Sequence, residues 1–368
     1  MIEYIEIKGY KSIKELKLDL KPINILIGSN GVGKSNFISF FKLVNAIFNQ
    51  RLQKYVLEEK TDNLLYFGRK TTDFLFGKLI FDSGKGNNNA YCFRLAQTKE
   101  GGLYFELESS GYNVLRDSQT TGYYTLHNLE ESSVPRNSSY RNNYLSEHLK
   151  NIQAFHFHDT SSTSFLRKEC DINDNLYLKQ DGRNLPAFLY LLKINYPKIY
   201  NRIEKTVHSV APYIDKFILE PSRLNEKEIA LRWVDKGDSE SNFSAYQLSD
   251  GTLRFIALAT LLLQPNPPSV IIIDEPELGL HPFAINILTG MIQVASSKAQ
   301  IIIATQSPGL ISNFKPEDVV VMDKNIEENQ TVFNRLNSND LNEWLQNFTL
   351  GDLWERNIIN GAQPFIKR

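Results

Sequence analysis

The first 27 residues alternate. Tyr4, Ile5 and Ile7 lie in a β-rich run, and Leu16, Leu18 and Leu20 interleave with charged residues, the pattern of half-buried strands. Pro22 interrupts, and residues 23–27 form a short apolar strand that ends at Gly28. The period then changes. Apolar residues at 37, 38, 40, 41, 44, 47 and 48 predict a helix over 35–49. Between 60 and 130, FLFGKLIF, AYCFRLAQ and GLYFELES read as strands split by turns at Asp82–Asn89 and Glu100–Gly102, an antiparallel β lobe. Residues 131–144 are polar and contain a proline, which predicts a loop or linker.

Beyond it, 152–158 predicts a strand and 184–209 helices, with Pro186 at a helix start and a break near Pro197. Residues 213–234 hold two strand-like runs, and 235–241 read as a turn. A helix (252–263), a buried strand (269–273), a helix (282–297) and two more buried strands (300–304 and 319–323) follow. Continuous apolar strands alternating with helices predict an α/β fold around a parallel sheet covered on both faces. The tail, 338–368, is mixed and carries Trp344 and Trp354. No internal repeat or heptad pattern is visible.

A chain of 368 residues is one large or two small domains. The formal net charge of −1 excludes a uniformly basic nucleic-acid coat, though not a local patch. Two cysteines, Cys92 and Cys170, make no disulfide framework. No apolar run approaches a membrane span, and the charged, alternating start is unlike a signal peptide. The expectation is a cytoplasmic protein.

Gly28–Ser35 reads G-x-x-x-x-G-K-S, directly between an apolar strand and a helix. That context suits a phosphate loop. Glycines let backbone N–H groups converge on phosphates, and the helix N-terminus adds positive potential. Lys34 would bridge the terminal phosphates and Ser35 would hold Mg²⁺. Asn30, Gly31, Gly33, Lys34, Ser35 and Asn36 are the candidate nucleotide contacts. A second segment, Ser-Val-Ile-Ile-Ile-Asp-Glu-Pro-Glu (269–277), ends a buried strand on adjacent carboxylates. Successive side chains alternate, so the two take different roles. Asp274 is the candidate metal ligand with Ser35, and Glu275 the candidate general base. Glu277 is expected at the surface.

Gln-Leu-Ser-Asp-Gly-Thr-Leu-Arg (247–254) opens a helix just before the acidic strand, a second anion-seeking helix start. This segment resembles the signature motif of ABC-type ATPases, in the LSDGT form of the RecF, SMC and OLD-like branch. DEPELGLHP (274–282) is similar to that branch's Walker B and D-loop, IIIATQSP (301–308) to its switch strand, and GYKS (9–12) to its N-terminal strand-turn near bound nucleotide. With 215 residues between Lys34 and Ser249 and no long heptads, the chain looks like the small predicted ATPases of the OLD/RecF-like AAA group, several of them phage-defence proteins.

The resemblance implies a P-loop ATPase head with a mixed sheet. Its core would be 1–59 and 245–368, interrupted by a β lobe (60–150) and a helical/strand insertion (151–244). It also implies a homodimer sandwiching ATP and Mg²⁺. Ser249 and Gly251 of one copy would meet the γ-phosphate held by Lys34 of the other, with Lys11 and Ser12 near the nucleotide. Gln306 stands where transporters carry a switch histidine. It cannot carry a proton, though it can hydrogen-bond phosphate or water, so turnover is expected to be slow. A Q-loop glutamine is not evident; the strand IQAFHFHDTSS would take that place, with His158 or Asp159 near the metal. The alternative is a scaffold that binds ATP without hydrolysing it and holds an effector protein. A transporter nucleotide-binding domain fits less well, given the insertion and the LSDGT form.

Weaker signals remain. His156, His158 and Asp159 share too few ligands for a convincing metal site. His281 is expected to cap the helix at Pro282 or shape a dimer interface. Lys8, Lys11, Lys14 and Lys17 read as a solvated face, with nucleic-acid contact the minority reading. About 60 residues follow Gln306, too few for an appended Toprim-type nuclease domain, so any DNA cleavage is expected from a second polypeptide, and the resemblance implies an effector protein encoded nearby.

Overall fold

The computed structural model describes residues 1–82, 88–114, 116, 124–137 and 139–361. Most of the expected turn at Asp82–Asn89 and the end of the tail (362–368) lie outside the described residues.

A six-stranded sheet carries the site. Its order is Gln330–Arg335, Val319–Asn325, Ile23–Ile27, Gln300–Thr305, Val270–Asp274 and Ile152–Phe155. All pairs are parallel except the first, an antiparallel edge. The strands read as unbroken apolar runs because both faces are covered. Ile25, Ile271 and Ile301 enter one core, under the helices Leu185–Asn195, Pro197–Val210, Asp250–Leu263 and Pro282–Ala295. Leu26, Ile272 and Ile302 enter the other, which holds the helix Lys34–Phe48.

That second core is closed by an antiparallel sheet. Its order is Ile13–Asp19, Ile2–Tyr10, Phe74–Asp82, Asn88–Gln97, Leu103–Tyr112 and Tyr124–Leu126. The strands read as a lobe of their own thus pair directly onto Ile2–Tyr10, and lobe and N-terminal strands form one sheet. The helix Lys34–Phe48 lies between the two sheets, with Phe40 edge-on to Tyr10 and stacked with Phe93. Each large apolar side chain buried there contributes about 2 kcal/mol, which anchors the loop preceding the helix.

Three local expectations change, and one further helix appears. Residues 131–144 are not all loop. A helix, Tyr140–Lys150, starts inside them because the Ser139 side chain caps it at Asn142 N and Leu145 and Leu149 reach the core. A helix over Leu52–Glu59 is capped from afar by Glu131, whose carboxylate accepts from Leu52 N and Gln53 N at 3.1 and 3.0 Å. The turn at 235–241 is the tip and start of a hairpin strand, Asp238–Ser244. The strand expected over 152–158 stops at Phe155. Among the described residues no helix is long and apolar enough to cross a membrane.

Candidate functional site

The strand Ile23–Ile27 delivers the loop 28–33 to the C-terminal edge of the parallel sheet, where open α/β sheets hold ligands. A cleft of about 260 Å³ opens there. It is lined by Asn30, Gly31, Gly33, Lys34, Ser35, Asn36, Asp274, Glu275 and Gln306. The phosphate loop, the acidic strand end and Gln306 therefore meet, although Lys34 and Asp274 are 240 residues apart.

The loop is braced from behind. Gly33 has φ +113°, and a Cβ there would come within 2.6 Å of both Ser12 Oγ and Thr331 Oγ1. Only glycine takes that backbone in that space without strain. Thr331 Oγ1 donates to Val32 O at 2.7 Å and accepts from the Ser12 hydroxyl at 2.9 Å, and Asn36 Nδ2 donates to Ser12 Oγ at 2.9 Å. Ser12 is thus placed as a support of the loop, while Lys11 turns to an ion pair with Glu59 at 3.3 Å. Both also line an adjoining cavity of about 390 Å³ with Gly31, Val32, Tyr66, Phe67, Lys324 and Asn329. Phe67 is 57 % exposed there.

Lys34 Nζ donates to Gly28 O and Ser29 O. Burial lowers its pKa, opposed by the charges of Glu275 and Asp274. Asp274 is shifted the other way: burial and then the neighbouring Glu275 raise its carboxyl, against His158, Lys34 and Lys42. Glu275 follows the strand end with φ +41°, a backbone region costly for a side-chain-bearing residue and frequent at functional sites. Gln306 Nε2 donates to Glu275 Oε1 at 2.9 Å and to Asn30 Oδ1 at 2.6 Å, spanning the cleft.

Glu277 is a correction. It folds inward: Thr305 Oγ1 donates to Oε1 at 2.5 Å, Oε2 is buried without a partner, and burial raises the pKa. Residues 276–279 form a turn that sets Glu277 against Thr305 of the adjacent strand, which the sequence pattern does not reveal.

Ser249 and Gly251 lie outside this cleft, at the start of the helix Asp250–Leu263. Ser249 Oγ accepts from Thr252 N at 3.2 Å and donates to Thr252 Oγ1 at 2.8 Å. A Cβ on Gly251 would sit 2.4 Å from Gly279 O, so the segment packs directly on the turn after the acidic strand. His281 caps the next helix, accepting from Phe283 N at 3.3 Å.

His156 and His158 lie beyond the end of the strand Ile152–Phe155. His156 is held neutral, its pKa lowered to about 4 chiefly by burial, then by Lys42 and His158. Among the described residues no group of three or more His, Cys, Asp or Glu is placed to hold a metal. The lysine series is partly neutralised: Lys8 pairs with Glu6 and Glu15. Sequence reasoning missed Thr331, Arg167 and Arg254. Each works through contacts more than 75 positions away, which no local pattern signals.

The family described as "AAA domain, putative AbiEii toxin, Type IV TA system" matches residues 23–312. The chain belongs to this family. It is a P-loop ATPase of the AAA type by family and of the SMC-head type by fold. Among solved structures it is similar to an SMC head bound to the C-terminal winged-helix domain of ScpA, with TM-score 0.60 and 15% identity over 92% of this chain and 99% of that one. It is also similar to the Pyrococcus furiosus SMC head with an extended coiled coil, bound to the C-terminal domain of ScpA, with TM-score 0.58 and 13% identity over 94% and 98%. At these identities the likeness shows the fold. No curated protein sequence matches the chain.

Proposed function

We propose that this ATPase hydrolyses ATP with Mg²⁺ and uses the cycle to pair and release two copies of itself. The observation that carries the reading is the single cleft in which Lys34, Ser35, Asp274, Glu275 and Gln306 converge. The phosphates would lie on the backbone of Gly31–Ser35 at the helix start, with Lys34 exchanging its loop carbonyls for phosphate oxygens. The base end would lie in the adjoining cavity, against Phe67 and beside Lys11. Ser35 and Asp274 are hard oxygen donors that suit Mg²⁺, and the half-buried Asp274 carboxyl is raised by burial and by Glu275, which an added cation would offset. When bound, the ion neutralises charge on the transferred phosphoryl group. Glu275 would accept the proton of the attacking water and Gln306 would orient it.

Pairing puts Ser249 and Gly251 of one copy against the γ-phosphate held by the other. A triphosphate touching both copies favours the closed state, and hydrolysis removes that preference. By the family's description, an abortive-infection or toxin-linked role with a separate effector protein is the context we favour; contact with nucleic acid remains the secondary reading. The bond from Gln306 to Glu275 favours one variation, slow turnover in which ATP mainly stabilises a scaffold. Steady-state phosphate release decides between the two.

The test uses purified full chain with ATP and Mg²⁺. Lys34→Ala is expected to abolish nucleotide binding. Glu275→Gln is expected to cut release by at least about 10²-fold and accumulate an ATP-bound dimer in sedimentation. Wild-type turnover in Glu275→Gln removes Glu275 from the base role, and a Glu275→Gln chain that stays monomeric with saturating ATP removes the pairing.

A further inference from the structure

Two arginines behind the signature segment are nearly inaccessible: Arg254 is 5 % exposed and Arg167 8 %. Burying a guanidinium is costly unless its N–H groups find acceptors. Arg254 satisfies its charge almost entirely with backbone. Its Nε donates to Phe157 O and its Nη2 to His158 O, both at 2.9 Å, and its Nη1 donates to Leu278 O. Asp250 and Glu277 act on it only through longer-range attraction, and burial lowers its pKa.

The three acceptors belong to two segments with different neighbours. Phe157 and His158 follow the end of the strand Ile152–Phe155, which pairs in parallel with Val270–Asp274. Asp274 and the 156–158 segment therefore leave adjacent strand ends, and the His158 charge is felt at Asp274. Leu278 belongs to the turn after the acidic strand, whose Gly279 carbonyl packs on Gly251. Arg167 adds a parallel tie. Its Nε donates to Thr160 O at 2.7 Å, its Nη1 to Ala245 O at 2.5 Å and Leu248 O at 3.1 Å, and its Nη2 pairs with Asp250 Oδ1 at 2.7 Å. Carbonyls 157, 158 and 160 are thus all held by guanidinium groups that also grip the start of the signature helix or the turn beside it.

We propose that Arg254 is a positioning residue. It makes the 157–158 segment, the signature helix and the Leu278–Gly279 turn one body, so that nucleotide bound beside Asp274 sets where Ser249 is presented. The proposal rests on the ATP-dependent pairing argued above and adds the route by which one chain's own cleft controls the surface it offers to the second copy. Arg254 lines neither the cleft nor the adjoining cavity, so its substitution is expected to leave the phosphate loop intact. A guanidinium reaches three carbonyls in a fixed plane; an ammonium on a similar stem reaches fewer, and a thioether none.

The experiment is amide hydrogen exchange on the full chain with and without a non-hydrolysable ATP analogue and Mg²⁺, alongside steady-state kinetics of wild type, R254K and R254M. In wild type the analogue is expected to slow exchange at 28–36, at 157–158 and at 278–280. In R254M the slowing at 28–36 persists and the other two are lost. KM for ATP stays within about twofold while kcat falls about tenfold or more, with R254K between. If R254M melts, R254K and the wild-type exchange map carry the decision. The proposal is overturned if R254M keeps slowing at all three segments, if its kcat matches wild type, or if wild type shows protection confined to 28–36. A wild type that neither hydrolyses ATP nor pairs, yet passes protection to 278–280, would remove the pairing reading and leave Arg254 in its positioning role.

Discussion

The two walls that the proposed pairing would bring to a nucleotide are built differently. The phosphate-loop wall is mostly local: strand, glycine-rich turn and helix are consecutive, and the backbone itself forms the cradle from Gly31 to Ser35. Its long-range brace is a small hydroxyl cluster, Ser12 with Thr331. The signature wall is local only at Ser249 and its cap. Everything that aims it comes from elsewhere, through Arg254, Arg167 and the Gly251–Gly279 contact. A site half made by contiguous chain and half by buried charge can be stiff on one side and adjustable on the other, which suits a switch.

The sharpest way to break this contrast is Gly33→Ala. The left-handed φ and the two hydroxyls at 2.6 Å leave a methyl no room. A loss of about 4 kcal/mol in denaturant unfolding is expected, with nucleotide binding gone; near-wild-type stability would show that the loop is not held rigid. Next comes Gly251→Ala, where a methyl 2.4 Å from the Gly279 carbonyl forces one segment away. A stability loss of about 2 kcal/mol is expected, with calorimetric nucleotide affinity kept and ATP-dependent pairing lost. Equal loss of affinity and pairing would erase the difference between the walls.

Thr331→Val removes two hydrogen bonds while keeping shape. About 1.5 kcal/mol of stability should go, with weaker nucleotide binding and no change in exchange at 278–280. The last test is a pH dependence and concerns the joint between the walls. Burial holds the folded pKa of His156 near 4, below its ordinary 6.5. Between those values the unfolded chain binds the proton more readily. Stability from this residue is therefore complete above pH 6.5 and lost as pH falls toward 4. His156→Gln should flatten the urea midpoint over that window, and an unchanged slope would show that His156 is not buried neutral.

Much of the fold was legible because it is written in periods. The helix at 34–48 and the apolar strands at 23–27, 270–274 and 300–305 follow from spacing alone. Where reading failed, the cause was a partner far away in sequence. Helix 52–59 has no side-chain cap of its own and borrows Glu131. Helix 140–150 hides in a polar run because only a few of its residues reach the core. Glu277 looked solvated because charge is usually outside, and only the turn at Pro276 reverses that.

What the linear chain determined by itself is the chemistry on offer: a phosphate cradle, a carboxylate pair at a strand end and a glutamine to face them, each specified by neighbours within a few positions. Tertiary structure alone decided how these are aimed. Burial makes a charged side chain seek whatever acceptors the fold brings near, and those acceptors are backbone atoms, which any residue supplies and no residue type announces.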